Sequence, residues 1–206
     1  MNRSIILYIL GWILKLEGLS LLLPCLVALI YREASGWAFV LVAAVSIVLG
    51  VLITLRKPKS TVFYMREGCI ATALSWILLS LVGCIPFVIS GVIPSFTNAL
   101  FETISGFTTT GASILPEVES LPHCMLFWRS FTHWLGGMGV LVFLLAVIQM
   151  TGGSHMNLMR AESPGQSVGK LVPRVMHTAR ILYVIYFALT IIEIIFLLCG
   201  KMQQYT

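Results

Sequence analysis

Asn98-Ala-Leu-Phe-Glu-Thr-Ile-Ser-Gly-Phe107 runs directly into Thr108-Thr-Thr-Gly-Ala-Ser113. The first part reads as a short helix. Asn98 suits its N-cap, and Phe101, Ile104 and Phe107 recur at three-residue spacing, with Leu100 beside them. Ten helical residues span about 15 Å, half the thickness of a bilayer's hydrocarbon core. The second part holds small and hydroxyl residues and offers no apolar continuation. Such a segment can enter a membrane but cannot cross it. Non-helical backbone at that depth is tolerated only against protein or a water-filled cavity. Half-helix plus polar loop is therefore the outline of a pore loop, and the chemistry suits cation passage. The helix C-terminus carries about half a negative charge. An extended Thr-Thr-Thr-Gly backbone can turn carbonyl oxygens inward to replace a hydration shell. Gly111 can take dihedrals closed to other residues. A carboxylate would hold a monovalent ion too firmly to release it. The same residues also suit a Ser/Thr/Gly-rich surface turn, and spacing alone leaves both readings open.

The flanks decide that the setting is a membrane. Of 206 residues, 58% are hydrophobic and 10% charged, and the mean hydropathy is +0.98. Soluble domains average about 45–50% apolar and about 25% charged, so a soluble enzyme, a disordered tail and a nucleic-acid-binding module are excluded. Apolar runs long enough to span lie at roughly 5–30, 37–55, 70–90, 125–148 and 180–199. Arg3 before the first run resembles a signal peptide, but the run is too long and no A-x-A cleavage pattern follows. It is expected to stay as a helix kinked at Pro24. Arg56, Lys57, Lys59 and Arg66 against Glu67 make one connection basic; Arg160, Lys170, Arg174 and Arg180 against Glu162 do the same for another. The alternate connections hold Arg32 with Glu33, then Glu117 and Glu119. The positive-inside rule then puts the N-terminus in the cytoplasm and residues 91–124 outside.

Further along, the residues resemble those of a known family. Phe101-Glu-Thr-Ile-Ser-Gly-Phe-Thr-Thr-Thr-Gly-Ala-Ser113 is similar to the first pore loop of the Trk/Ktr/HKT superfamily of cation transporters, and most like bacterial Trk-type potassium uptake subunits. Pro24–Arg32, Arg66-Glu-Gly68, Trp134-Leu-Gly-Gly-Met-Gly139 and Arg160-Ala-Glu-Ser-Pro-Gly165 extend the likeness over nearly the whole chain. The resemblance implies an all-α integral membrane protein with this order: two leading helices (1–60), a helix–pore loop–helix repeat (61–150), a cytoplasmic loop (151–179) and the outer helix of an incomplete second repeat (180–206). It implies potassium as the transported ion, with Thr109 and Thr110 as the coordinating positions in a selectivity filter of Thr108, Thr109, Thr110, Gly111, Ala112 and Ser113. Plant relatives with Ser in place of this Gly favour sodium, so Gly111 leans the reading to potassium. The family's filter takes four such loops, so this chain resembles the N-terminal part of a longer transporter in the bacterial inner membrane. Expected partners are lipid, the remaining repeats, a second copy in a homodimer and a TrkA-like cytosolic nucleotide-binding subunit, with no nucleic acid and no bound cofactor. A short chain assembling as a homotetramer and a non-transporting membrane fragment are the alternatives.

Other residues carry weaker signals. Glu102 and Arg129 are costly in a membrane unless paired or wetted; they are expected to brace the loop by pairing with each other, or else Arg129 snorkels to the interface and Glu102 reaches vestibule water. Lys15 and Glu17 in the first span stand two apart, so each needs a partner elsewhere. Gly136, Gly137 and Gly139 suit close helix packing against the loop, or bending. The five cysteines and four histidines show no metal-ligand spacing. No Walker A or H-E-x-x-H motif and no paired carboxylates lie in the spans, so an enzyme is not expected.

Overall fold

The computed structural model describes residues 3–56, 65–151 and 171–199. Eight helices and no strands lie among them: α1 Arg3–Ser20, α2 Leu22–Tyr31, α3 Gly36–Leu55, α4 Met65–Gly83, α5 Ile85–Ile89, α6 Phe96–Phe107, α7 His123–Thr151 and α8 Leu171–Cys199. Arg3–Tyr31, Gly36–Leu55, Glu67–Ile89 and Thr178–Cys199 are long and apolar enough to cross a membrane. The expected fourth span, 125–148, falls within α7, whose 29 residues reach about 44 Å. The basic 57–64 connection and most of the 151–179 loop, with Arg160–Gly165, lie outside the described residues.

The chain divides into two compact units, Met1–Gly136 and Gly137–Thr206. In the first, α1 packs against α3 and α4. The α1–α3 approach is close: a Cβ on Gly50 would stand 2.7 Å from the Gly11 carbonyl oxygen. The first span breaks at Leu21, a turn before Pro24. Proline lacks the N–H that would reach Ser20, and its ring clashes there. Leu21 stays right-handed (φ −65°, ψ −15°), so the helix bends and resumes. The third span, expected as continuous, breaks likewise at Cys84 ahead of Pro86. Phe87 N–H there bonds Cys84 O at 3.2 Å, and the freed Gly83 carbonyl accepts the Trp128 indole N–H at 2.9 Å. Trp128 is fully buried and meets Phe39 and Phe107 edge-on, with ring centroids 6.2 and 6.5 Å apart. That aromatic cluster, with Leu21, Phe87 and Met125, is the core on which α6 sits.

In the second unit, a Cβ on Gly137 would stand 2.5 Å from the Tyr186 hydroxyl of α8. Most of the described α8 side chains are exposed, Glu193 among them.

Candidate functional site: the loop after the half-helix

α6 starts earlier than expected. Ser95 is the residue before it, extended at φ −77° and ψ 118°, so Asn98 lies inside the first turn and does not cap. Of the stripe Phe101, Ile104 and Phe107, only the last is buried. Phe101 and Ile104 are 47% and 42% exposed, while Ala99, Glu102, Thr103, Ser105, Gly106 and Phe107 are buried. Small and polar residues face inward because α7 and the returning loop come too close for large side chains. A Cβ on Gly106 would collide with Thr132 Oγ1, and one on Gly136 with the Phe107 carbonyl oxygen.

The helix ends in a Schellman arrangement. Thr109 N–H donates to Gly106 O and Thr110 N–H to Ser105 O, each at 2.9 Å. The residue that must turn left-handed for this is Thr109, at φ 56°. Glycine usually fills that position, and a β-branched residue there is an outlier. Gly111 follows at φ 75°. The loop then folds back beside its own helix. Ser105 Oγ donates to Ala112 O at 2.6 Å. Ser113 Oγ and Ile114 N–H donate to the Glu102 carboxylate at 3.0 Å each. Arg129 Nε of α7 donates to the same carboxylate at 2.5 Å.

Glu102 is thus the point where helix, loop and α7 meet; its side chain is 1% exposed and that of Arg129 18%. Two of the six expected filter positions are used to hold the loop: the Ala112 carbonyl and the Ser113 hydroxyl. The carbonyls of Thr108, Thr109, Thr110 and Gly111 accept no hydrogen bond among the described residues. All six residues from Thr108 to Ser113 are exposed. The Thr108 and Thr110 hydroxyls meet at 2.8 Å, and Thr108 Oγ1 also donates to Ile104 O at 2.7 Å. The segment is therefore a clamped arc with four free peptide oxygens, fit to ligate a hard cation through neutral oxygen.

Gly136 is set against the loop's base; Gly137 faces Tyr186 in the second unit, and Gly139 is half-buried in α7. Lys15 has partners: Nζ donates to Thr54 Oγ1 at 3.2 Å and lies 3.3 Å above the Trp12 ring. His133 Nδ1 bonds Arg129 O at 2.9 Å. No cluster of metal-ligating side chains occurs among the described residues. A G-x-S-x-G spacing at 165–169 lies outside the described residues.

Sequence reasoning missed Glu33. Its carboxylate caps α7, accepting from His123 N–H at 2.7 Å and Cys124 N–H at 2.9 Å, with His123 Nδ1 2.9 Å away. Tyr31 stacks on the His123 ring at 4.1 Å. Burial acts to raise the Glu33 carboxyl, but the bonds from Cys124 and His123 outweigh it and hold it at about 2. Nothing local in the sequence joins residues 33 and 123; only the acid beside a loop offered a hint.

The family model for TrkH, cation transport protein, matches residues 36–206. The chain belongs to the TrkH family. The Trk system potassium uptake protein TrkH of Escherichia coli K12 is 39% identical over 195 residues, covering 93% of this chain and 40% of that protein. TrkG of the same organism is 35% identical over 197 residues, covering 93% and 41%. The crystal structure of the potassium transporter TrkH from Vibrio parahaemolyticus matches with a TM-score of 0.78 and 34% identity, over 97% of this chain and 40% of that one. The chain thus spans about 40% of the length of these TrkH relatives. It has their all-α membrane fold.

Proposed function

We propose that this chain takes part in potassium uptake across the bacterial inner membrane, supplying one loop of a carbonyl-lined selectivity filter. The observation that carries the reading is the clamped arc, with four unbonded peptide oxygens between a half-helix and its Glu102 anchor. Potassium sheds water at Thr108–Gly111, with Thr109 and Thr110 as the coordinating positions. The neutral oxygens let it leave again, and the membrane potential drives it inward at about 2.3 kcal/mol per charge per 100 mV. Ala112 and Ser113 belong to the filter as its tether, and Glu102, Arg129 and Gly136 hold its base. Gly137 and Gly139 lie further along α7 and serve helix packing. Residues 1–60 are the leading helices, 61–150 the pore-loop repeat, 151–179 a cytoplasmic connection that is already helical from Leu171 onward, and 180–206 the opening helix of a second repeat. The N-terminus is cytoplasmic. Names of the relatives support potassium as the ion, and Gly111 agrees with it. The remaining filter loops come from further repeats, in a subunit that pairs as a homodimer and meets a TrkA-like regulatory ring.

The test is growth of an uptake-deficient bacterium on limiting potassium. The gene encoding this chain restores growth, and replacing Gly111 with Val abolishes it while the protein still reaches the membrane. Unchanged uptake by Gly111→Val would refute the filter role.

A further inference from the structure

Glu17 is a carboxyl group buried in the wall behind the pore helix. It sits in α1, within a membrane-length span, and is 3% exposed. Neither of its oxygens has a hydrogen-bond partner among the described residues. Opposite it, α4 ends at Gly83, the break ahead of Pro86. A Cβ built on Gly83 would stand 3.3 Å from Glu17 Oε1 and 3.1 Å from both Phe107 Cε2 and Thr103 Cγ2. The carboxyl therefore meets one side of Gly83, whose other neighbours are Phe107 and Thr103 of α6, the helix from which Thr108–Gly111 departs.

The described groups named here offer no counter-charge. From the α4–α5 junction comes the Cys84 thiol, which is buried and donates to Leu81 O at 3.2 Å. From α6 come Thr103, whose hydroxyl donates to Ala99 O at 2.8 Å, and the Phe107 ring. From α3, Ala43 and Ile47 press on the neighbouring Gly18. Lys15, on the same helix, is committed to Thr54 and the Trp12 ring. The Trp128 N–H is spent on the Gly83 carbonyl. An anion with no partner in an apolar interior is strongly disfavoured, whereas the neutral acid is tolerated.

We propose that Glu17 is a proton-binding site at the back of the pore helix: its carboxyl is carried as the neutral acid, and loss of that proton unseats the last turn of α6 and slows ion passage. The second half rests on the filter reading above; the first does not. An ionised Glu17 draws water or a cation towards Gly83, which packs closely against Thr103 and Phe107, so the disturbance reaches α6 through Gly83.

Two measurements test it. The protein is purified into lipid, and infrared spectra of wild type and Glu17→Gln are subtracted at neutral pH. A protonated carboxylic-acid carbonyl band, shifted by deuterium exchange, is expected in wild type and absent from Glu17→Gln. An ionised-carboxylate signal for Glu17 instead overturns the proposal, whatever the filter does. In cells, Glu17→Gln keeps potassium uptake within about twofold of wild type, because a neutral group of the same shape costs little. Wild-type uptake falls as external and internal pH are raised together, and Glu17→Gln flattens that fall. An equal fall in both overturns the link to the pore helix. Glu17→Leu guards against misfolding: a site that holds a neutral acid accepts it, and loss of both variants from the membrane means that the charge itself is required, which also overturns the proposal.

Discussion

Thr109 and Gly111 both take positive φ within three residues, yet they meet the requirement differently. An L-residue in the left-handed region costs roughly 1–2 kcal/mol, and Thr109 bears that cost under the two Schellman hydrogen bonds. Gly111 avoids it. A Cβ on Gly111 would meet nothing within 4 Å, so the objection to a side chain there is conformational and not steric. Asn tolerates φ > 0 better than other residues. Gly111→Asn is therefore expected to keep measurable uptake where Gly111→Val has none, with protein melting in lipid as the check on folding. If the two variants are equally dead, crowding matters and the conformational account fails. Gly136 is the opposite case. Its added Cβ would strike the Phe107 carbonyl, which is backbone and cannot swing aside. Gly136→Ala should lower stability by about 1–3 kcal/mol, the range for overpacking, and depress uptake through the displaced Phe107. A melting temperature equal to wild type would refute it.

Among elements, the junction of α6, its loop and α7 depends on one carboxylate. Glu102 accepts from Arg129, Ser113 and Ile114, so deleting it strands a partly buried guanidinium and frees the loop together. Removing one partner of a buried pair costs about 3–5 kcal/mol. Arg129→Ala and Glu102→Ala should each fall in that range, Glu102→Ala the more severe. The double variant should lose clearly less than the two losses added, as read in a double-mutant cycle. Strict additivity would mean that the pair is not coupled. This junction was half legible in the sequence. The two charges were singled out because each is expensive in a membrane, and the geometry brings them together. Periodicity marked the stripe Phe101, Ile104 and Phe107, of which only Phe107 is buried; close approach by α7 instead fixes Gly106. Hydrophobic spacing finds a core face only where neighbours leave room for large side chains.

At the scale of the molecule, length and hydropathy were enough for an all-α membrane protein, because a bilayer permits so few alternatives. Finer features escaped. The break before Pro86 was hidden in a run apolar throughout, although Pro86 itself was the available signal. The cap on α7 joins residues 33 and 123, and no local pattern records a contact over that separation. It carries a pH prediction. The folded state holds Glu33 at about 2, below the ordinary carboxylate range, so its stabilisation is full above that range and is lost as pH falls towards 2. Glu33→Ala should cost about 1–2 kcal/mol at neutral pH, as other N-cap losses do, and should remove part of the acid sensitivity of thermal unfolding. An unchanged acid limb would show that the cap contributes nothing.

The same bond fixes an order of events during biogenesis. Glu33 leaves the ribosome long before His123 and Cys124 exist, so a nascent chain arrested short of them carries a loop acid with an ordinary carboxylate titration and an unlatched helical hairpin. Latching waits until translation has passed α6 and its loop, so the bond between this hairpin and α7 forms only after residues 108–113 have already been delivered to the translocon.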